Sequence, residues 1–417
     1  MNYSKLLQYI LDIAEEMVVS GAEVNRVEES IERMLTAYGC DFDRVNAFIL
    51  TNNIQVTFED PNGEIITQIR YVKRSDTNFD RLDYLNDLSR YICANTPDLK
   101  ELRQKYLEVM SRPQNPTWLK YLSGVMVSGG FAVFFGGSVF DGICSAAVSL
   151  LLIFILDYLK KFNINTLSKI FMTSIVCGVA SIIICMLGLA NLDKVLIGEI
   201  MLLIPGIAMT NSIRDMLLGD IATGLIKLAN AMLVAGAIAL GFAVPLAFMK
   251  GLAGISLIKL PIPLIAVPLR SGTFASVIQV AMAFIGCIGF AIYLNMKRKQ
   301  VIYSGIGGAI AWIIYLLMAD FMGGLFIPTL VASVFIGIYS EIMAKVNKAP
   351  ATIFFTSVAI ALIPGSALYY AMDALIDRNV ESSASYGNTA LTIALAISMG
   401  IVLVAVFNKI IHEIRRK

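Results

Sequence analysis

A single histidine, His412, stands in the whole chain of 417 residues, and it follows the last apolar segment beside Glu413 and Arg415. That scarcity excludes a histidine proton relay and a His-rich metal site, so proton transfer would have to use carboxylates or tyrosines. Charge is scarce too: Asp, Glu, Lys and Arg make up 15% of the residues against 57% hydrophobic, with a mean hydropathy of +0.73. Such a balance lies far outside that of soluble globules and reads as a polytopic membrane protein. The six cysteines (Cys40, Cys93, Cys144, Cys177, Cys185 and Cys287) form neither metal-type pairs nor a disulfide framework. They read as small hydrophobes. No Gly-Lys-Ser/Thr phosphate loop is present, which speaks against ATP-driven work by this chain. Nucleophile elbows and aromatic-basic interleaving are missing as well, so neither an enzyme nor a nucleic-acid binder is expected, and no cofactor or metal. The first residues lack the apolar core of a signal peptide, and the first domain is expected to stay in the cytoplasm.

What charge there is clusters at one end. Residues 1–117 hold 19 Asp and Glu and 13 Lys and Arg, a net −6, which leaves 12 and 20, a net +8, for the remainder. Within that first part, apolar residues recur at helical spacing over 4–19 and 22–38, with a break at Gly21. Strand-like stretches at 45–50, 54–58 and 64–72 follow, the last two joined by the hairpin signal Asp60-Pro61-Asn62-Gly63. Helices at about 79–93 and 98–111 complete a small α+β cytoplasmic domain over 1–117.

The rest divides into ten apolar spans of bilayer length: roughly 118–138, 141–159, 167–189, 195–213, 224–249, 272–295, 300–318, 323–343, 350–372 and 387–408. The pentapeptide Leu202-Leu203-Ile204-Pro205-Gly206 returns, one residue changed, as Ala361-Leu362-Ile363-Pro364-Gly365, and the offset of 159 between the prolines carries each early span onto a later one. Five spans per half is an odd number, so the second half would enter the bilayer from the opposite side. The expected fold is therefore α-helical and polytopic, ten transmembrane helices as a 5+5 inverted repeat: repeat one over 118–249, an outer connecting loop over 250–271, and repeat two over 272–417. Lysine and arginine concentrate in alternate loops (Lys160, Lys161 and Lys169; Arg214 and Lys227; Lys297, Arg298 and Lys299; Lys345 and Lys348), which places those loops and both termini in the cytoplasm of a cell membrane. The loop bearing Lys250, Lys259 and Arg270 goes against this pattern.

Proline deprives a helix of a donor and glycine loosens the same turn, so Pro205-Gly206 and Pro364-Gly365 should interrupt two spans at matching depth. Broken helices in corresponding positions of two halves point to a transport site, and the two breaks are expected to face one another across a central cavity. After the first break comes the densest polar run of the membrane half, Thr210, Asn211, Arg214 and Asp215, in which Thr210 and Arg214 share one helix face. Exposed amides at the break suit a carboxylate; carbonyls or Asp215 suit an ammonium. Tyr369 and Tyr370 follow the second break, Tyr370 aligning with Asn211. Glu199 lies outside Pro205 with no basic residue within four positions. A lone ionisable group inside a span is expensive and functional by default, so Glu199 is a candidate proton carrier, with Asp215 the alternative.

At these residues the chain resembles the threonine/serine exporter family. Ser20-Gly21-Ala22-Glu23-Val24-Asn25-Arg26-Val27-Glu28 carries the likeness in the first domain, and Leu203-Ile204-Pro205-Gly206 through Thr210-Asn211-Ser212-Ile213-Arg214-Asp215 carries it in the membrane. The later half is similar to the family's companion module through Lys348-Ala349-Pro350-Ala351 and Leu362-Ile363-Pro364-Gly365. The resemblance implies proton-driven export of threonine and serine. Some relatives, with the two modules on separate chains, are linked instead to dicarboxylates such as succinate. The partners expected are thus a small substrate, protons and lipid, with self-association left open. A reading of another class is a membrane-anchored signalling or hydrolytic protein acting through residues 1–117.

Overall fold

The structure, a computed structural model, describes residues 2–50, 52–74, 76–113, 115–253 and 273–416. Most of the expected outer loop, including Lys259 and Arg270, lies outside the described residues. The chain divides into two units, one of residues 1–115 together with 294–300 and 342–354, the other of the remainder.

In the first unit, helices α1 (Tyr3–Val19), α2 (Val24–Ala37), α3 (Phe79–Asn95) and α4 (Leu99–Met110) accompany strands β1 (Asn46–Leu50), β2 (Asn53–Glu59) and β3 (Ile65–Tyr71). The strands form an antiparallel meander in the order β1-β2-β3. Its hairpin closes as the turn residues dictate: the Asp60 carboxylate accepts from the amides of Asn62 at 2.8 Å and Glu64 at 2.9 Å. The sheet's alternation is clear in β2, where Ile54, Val56 and Phe58 are fully buried. The helical periodicity of α1 and α2 brings Leu6, Leu7, Ile10, Met17, Val27 and Ile31 to the same core. At the N-termini, Asn2 caps α1, Asn78 caps α3 and Asp98 caps α4, each side chain accepting a first-turn amide.

This unit also incorporates two segments from much later in the chain. The amides of Phe79 and Asp80 donate to the carbonyls of Leu294 and Asn295, at 3.0 and 2.9 Å. Lys297 lies 2.7 Å from the Asp83 carboxylate and sits over the Tyr84 ring. Gln300 also donates to Asp83, at 3.3 Å, and Thr352 to Glu23, at 2.5 Å. Residues 294–300 and 342–354 are thus bonded into the α+β domain.

The second unit is built from α5 (Thr117–Phe134), α6 (Val139–Leu159), α7 (Thr166–Met186), α8 (Leu192–Leu203), α9 (Gly206–Leu217), α10 (Ile221–Ala253), α11 (Thr273–Tyr293), α15 (Gly365–Ile376), α16 (Val380–Arg416) and most of α12 (Arg298–Met322), α13 (Phe326–Asn347) and α14 (Ala351–Ala359), whose residues 298–300, 342–347 and 351–354 belong to the first unit. Among the described residues seven helices (α6, α7, α10, α11, α12, α13 and α16) are long and apolar enough to cross a membrane. Three of the ten expected spans do not stand among them, for physical reasons. The span at 195–213 is divided into α8 and α9, that at 350–372 into α14 and α15. Helix α5 has 18 residues, but Lys120, its serines and its glycines dilute its apolar character. Those small residues are buried: Ser123, Gly124, Ser128 and Gly130 face α6, α8 and α11, where close helix approach matters more than lipid contact.

Candidate functional site

Both Pro-Gly pairs interrupt their helices. Ile204 is extended, with φ −63° and ψ 132°, as the ring of the following proline demands, and Pro205 stands at φ −80°, ψ 35° before Gly206 starts α9. Pro364 repeats that conformation at φ −77°, ψ 51° before Gly365 starts α15. The second break is longer, since α14 stops at Ala359 and a turn carries the chain to Pro364.

The breaks touch one another. A Cβ added to Gly206 would overlap the Cγ2 methyl of Ile363, and one added to Gly365 would overlap the sulfur of Met201. Each glycine therefore admits a side chain from the opposite broken helix. Here the sequence reading is corrected: it set the breaks facing one another across a central cavity, whereas they pack in direct contact.

Glu199, on α8, is completely buried. Its Oε1 accepts from the Ser128 hydroxyl of α5 at 2.5 Å and from the Ser145 hydroxyl of α6 at 3.2 Å. The two serine hydroxyls lie 2.6 Å apart. Glu199 Oε2 is buried and has no hydrogen-bond partner among the described residues. One carboxylate oxygen is held by hydroxyls and the other has no partner among the described residues, so a proton, a water or a ligand would complete it. At the positions 159 further on stand Cys287, Ser304 and Val358. Their contacts echo the first set, with the Cys287 thiol 3.9 Å from the Val358 carbonyl and Ser304 2.7 Å from the Ser357 hydroxyl, but the carboxylate is replaced by an apolar side chain.

On α9, Thr210 is buried and Asn211 half-buried, and Thr210 Oγ1 and Asn211 Oδ1 have no hydrogen-bond partner among the described residues. The Thr210 carbonyl accepts from Ser398 of α16 at 3.0 Å, which fixes the backbone there. Arg214 and Asp215 are buried at the far end of the same helix. Asp215 is already neutralised, by Lys227 of α10 at 2.7 Å and by Arg214 at 3.4 Å. Arg214 also lies 5.9 Å from the centre of the Phe355 ring. Tyr369 and Tyr370 belong to a different group: their rings lie 5.2 Å apart, and Tyr370 meets Tyr386 of α16 at 5.4 Å. No hydrogen bond or ring contact among the described residues joins Asn211 to Tyr370.

Sequence reasoning missed Ser128 and Ser145, because a serine in a helix carries no periodic signal; the one available hint was that Ser145 and Ser304 are separated by the repeat offset. It took Lys227 only as a marker of sidedness. It also passed over Asp141, which is fully buried at the start of α6 and accepts from the Asn191 amide at 2.6 Å, thereby tying α6 to the entry of α8.

Long apolar helices, with two broken helices in mutual contact and unpaired polar atoms buried among them, define a multi-pass α-helical membrane protein. Comparison with known proteins narrows the class. Residues 8–249 match the family described as putative threonine/serine exporter, and residues 279–407 match threonine/serine exporter, ThrE. The chain belongs to the threonine/serine exporter family. A probable threonine/serine exporter of Mycobacterium tuberculosis is 22% identical over 97% of this chain and 76% of its own length. The threonine/serine exporter of Corynebacterium glutamicum is 23% identical over 94% of this chain and 80% of its own. No solved structure matches.

Proposed function

We propose that this protein is a secondary exporter of small hydroxy amino acids, threonine and serine, driven by protons, with both termini cytoplasmic. The reciprocal packing of the breaks, Gly206 on Ile363 and Gly365 on Met201, is the observation that carries the reading. It supports two halves that move against one another about matching elements, as alternating access requires. The ten-crossing 5+5 arrangement has further support in element starts: α9 and α15 begin 159 residues apart, at Gly206 and Gly365, and so do α10 and α16, at Ile221 and Val380. Two lysine-bearing segments, 294–300 and 342–354, which join successive helices, are bonded to the N-terminal domain, which supports a shared, cytoplasmic side.

In this reading the substrate enters where the breaks separate. First-turn amides after Pro205, and those beyond Gly365 after Pro364, receive its carboxylate, and Thr210 and Asn211 supply hydrogen bonds. Arg214 and Asp215, paired with each other and with Lys227, hold the end of α9, while Tyr369 and Tyr370 wall the opposite side. Glu199 takes a proton at Oε2 in one state and releases it in the other, its Oε1 held in place by Ser128 and Ser145.

Counterflow into proteoliposomes with labelled serine, threonine and succinate tests this. Exchange of serine and threonine without succinate is expected. Exchange of succinate alone would move the assignment to dicarboxylates, and exchange of none would shift attention to residues 1–117 as a signalling or hydrolytic module.

A further inference from the structure

The first turns of two corresponding helix pairs are tied by different means. On α6, the buried Asp141 accepts the Ser138 amide at 2.6 Å, and its two oxygens accept the amide and side-chain nitrogens of Asn191, just before α8, at 2.6 and 3.2 Å. The start of α6 is thereby bonded directly to the start of α8. At the positions 159 further on stand Lys297, Gln300 and Pro350, where α12 and α14 begin. The local half of the arrangement persists, since the Lys297 amide donates to Gln300 Oε1 at 3.3 Å. The bridging half cannot. Proline has neither a backbone N–H nor an amide side chain to give, so the bonds that Asn191 makes have no counterpart.

The N-terminal domain supplies what is missing. Gln300 Nε2 donates to Asp83 of α3 at 3.3 Å, and Lys297 Nζ lies 2.7 Å from the same carboxylate oxygen. The first turn of α14 is held by Thr352, whose hydroxyl donates to Glu23 at 2.5 Å. All of these residues belong to one unit. Asp83, Gln300 and Thr352 are buried, so water does not screen these bonds as it does those of a surface pair. Helix α3 reaches both segments: burial and then Asp83 push the Asp87 carboxyl above its ordinary pKa, and Lys297, Arg90 and Lys348 pull against them.

We infer that Asp83 and Glu23 are positioning residues for transport: through Lys297, Gln300 and Thr352 they hold the starts of α12 and α14 together, as Asp141 holds those of α6 and α8. The inference rests on the export reading above and gives the N-terminal domain a part in it. Helix α14 leads into the second break, so a shift of its first turn is carried toward Ile363, which meets Gly206.

A native thiol reports on the separation of the two helices. Cys287 of α11 is fully buried between them, its Sγ 3.9 Å from the Val358 carbonyl of α14 and in the place that a Cβ on Gly308 of α12 would occupy. Cys177 of α7 is equally buried and serves as the control. Full-length chains retaining only Cys287 or only Cys177 would be reconstituted and labelled with a maleimide. Asp83→Ala should speed labelling of Cys287 by about 10- to 150-fold and leave Cys177 unchanged. Thr352→Val, which removes only a hydroxyl, should act in the same direction, and serine counterflow should slow in both variants. Unchanged labelling of Cys287, or equal acceleration at Cys177, would overturn the positioning role while exchange by the unaltered chain upholds export. Faster labelling with unchanged counterflow would overturn it too. If the unaltered chain exchanges neither serine nor threonine, the export reading falls, and the positioning role with it. Should Asp83→Ala fail to fold, Thr352→Val decides by the same comparison.

Discussion

Replacing Gly206 by alanine places a methyl group where the second broken helix already is. The added Cβ would overlap Ile363 Cγ2, against an ordinary carbon–carbon contact of about 3.5–4.0 Å. The next nearest atoms are Ile363 Cβ and Cδ1, each at 3.4 Å. The overlap is thus owed to one methyl, and removing that methyl should relieve it. Gly206→Ala alone is expected to cost about 1–3 kcal/mol through overpacking. Ile363→Ala alone should cost about 2–5 kcal/mol, because it opens a cavity at a residue that is 3% exposed. In the double variant the new Cβ meets only the Cβ of residue 363, so the loss should fall short of the sum by about 1–3 kcal/mol. Thermal unfolding in detergent reads the stability side of this cycle, and serine counterflow reads the functional side, where Gly206→Ala should slow exchange and Ile363→Ala should partly restore it. Strict additivity of the two substitutions would refute the claim that the breaks bear on each other.

The remaining expectations concern side chains. Glu199→Gln keeps an acceptor for Ser128 and Ser145 but cannot carry a proton, so serine exchange should persist while accumulation driven by a pH gradient, worth about tenfold per unit and per proton, disappears. Normal gradient-driven export by that variant would move the carrier to Asp215. Asn211→Ala should weaken serine binding by about 1–3 kcal/mol and leave thermal stability unchanged, since Asn211 Oδ1 has no hydrogen-bond partner among the described residues. Equal affinity by titration would remove Asn211 from the site. Lys297→Met strands the Asp83 carboxylate, whose side chain is 3% exposed. A lysine that is 32% exposed lets water share the deficit, so the cost should sit at the low end, about 3 kcal/mol, and Asp83→Asn in the same chain should recover part of it. Unfolding midpoints of the two variants measure this.

Local chemistry made parts of the molecule legible from residues alone. The Asp60 turn, the Gly21 break between α1 and α2, and the two Pro-Gly interruptions each depend on backbone preferences confined to a few neighbours, and each lies where those preferences put it. What stayed hidden depends on distance along the chain. Ser128 meets Glu199 across 71 residues and Ser145 meets it across 54, with nothing in either local pattern to announce it. Lys227 looked like a sidedness marker because its partner Asp215 is twelve residues away on another helix. The mutual contact of the breaks was likewise invisible, since a repeat offset says which residues correspond and not which ones touch.

The staples in the N-terminal domain impose an order in time. Asp83 leaves the ribosome long before Lys297, and Glu23 waits for Thr352 across 329 residues. At a synthesis rate of about 5–20 residues per second, Asp83 spends roughly 10–40 s without its lysine. A domain translated first is therefore finished nearly last, and its completion reports that later helices have been threaded and their loops delivered. Nascent chains stalled before residue 294 should hold this domain in a looser form, open to proteolysis at the α3 face, that tightens only once the remaining chain arrives.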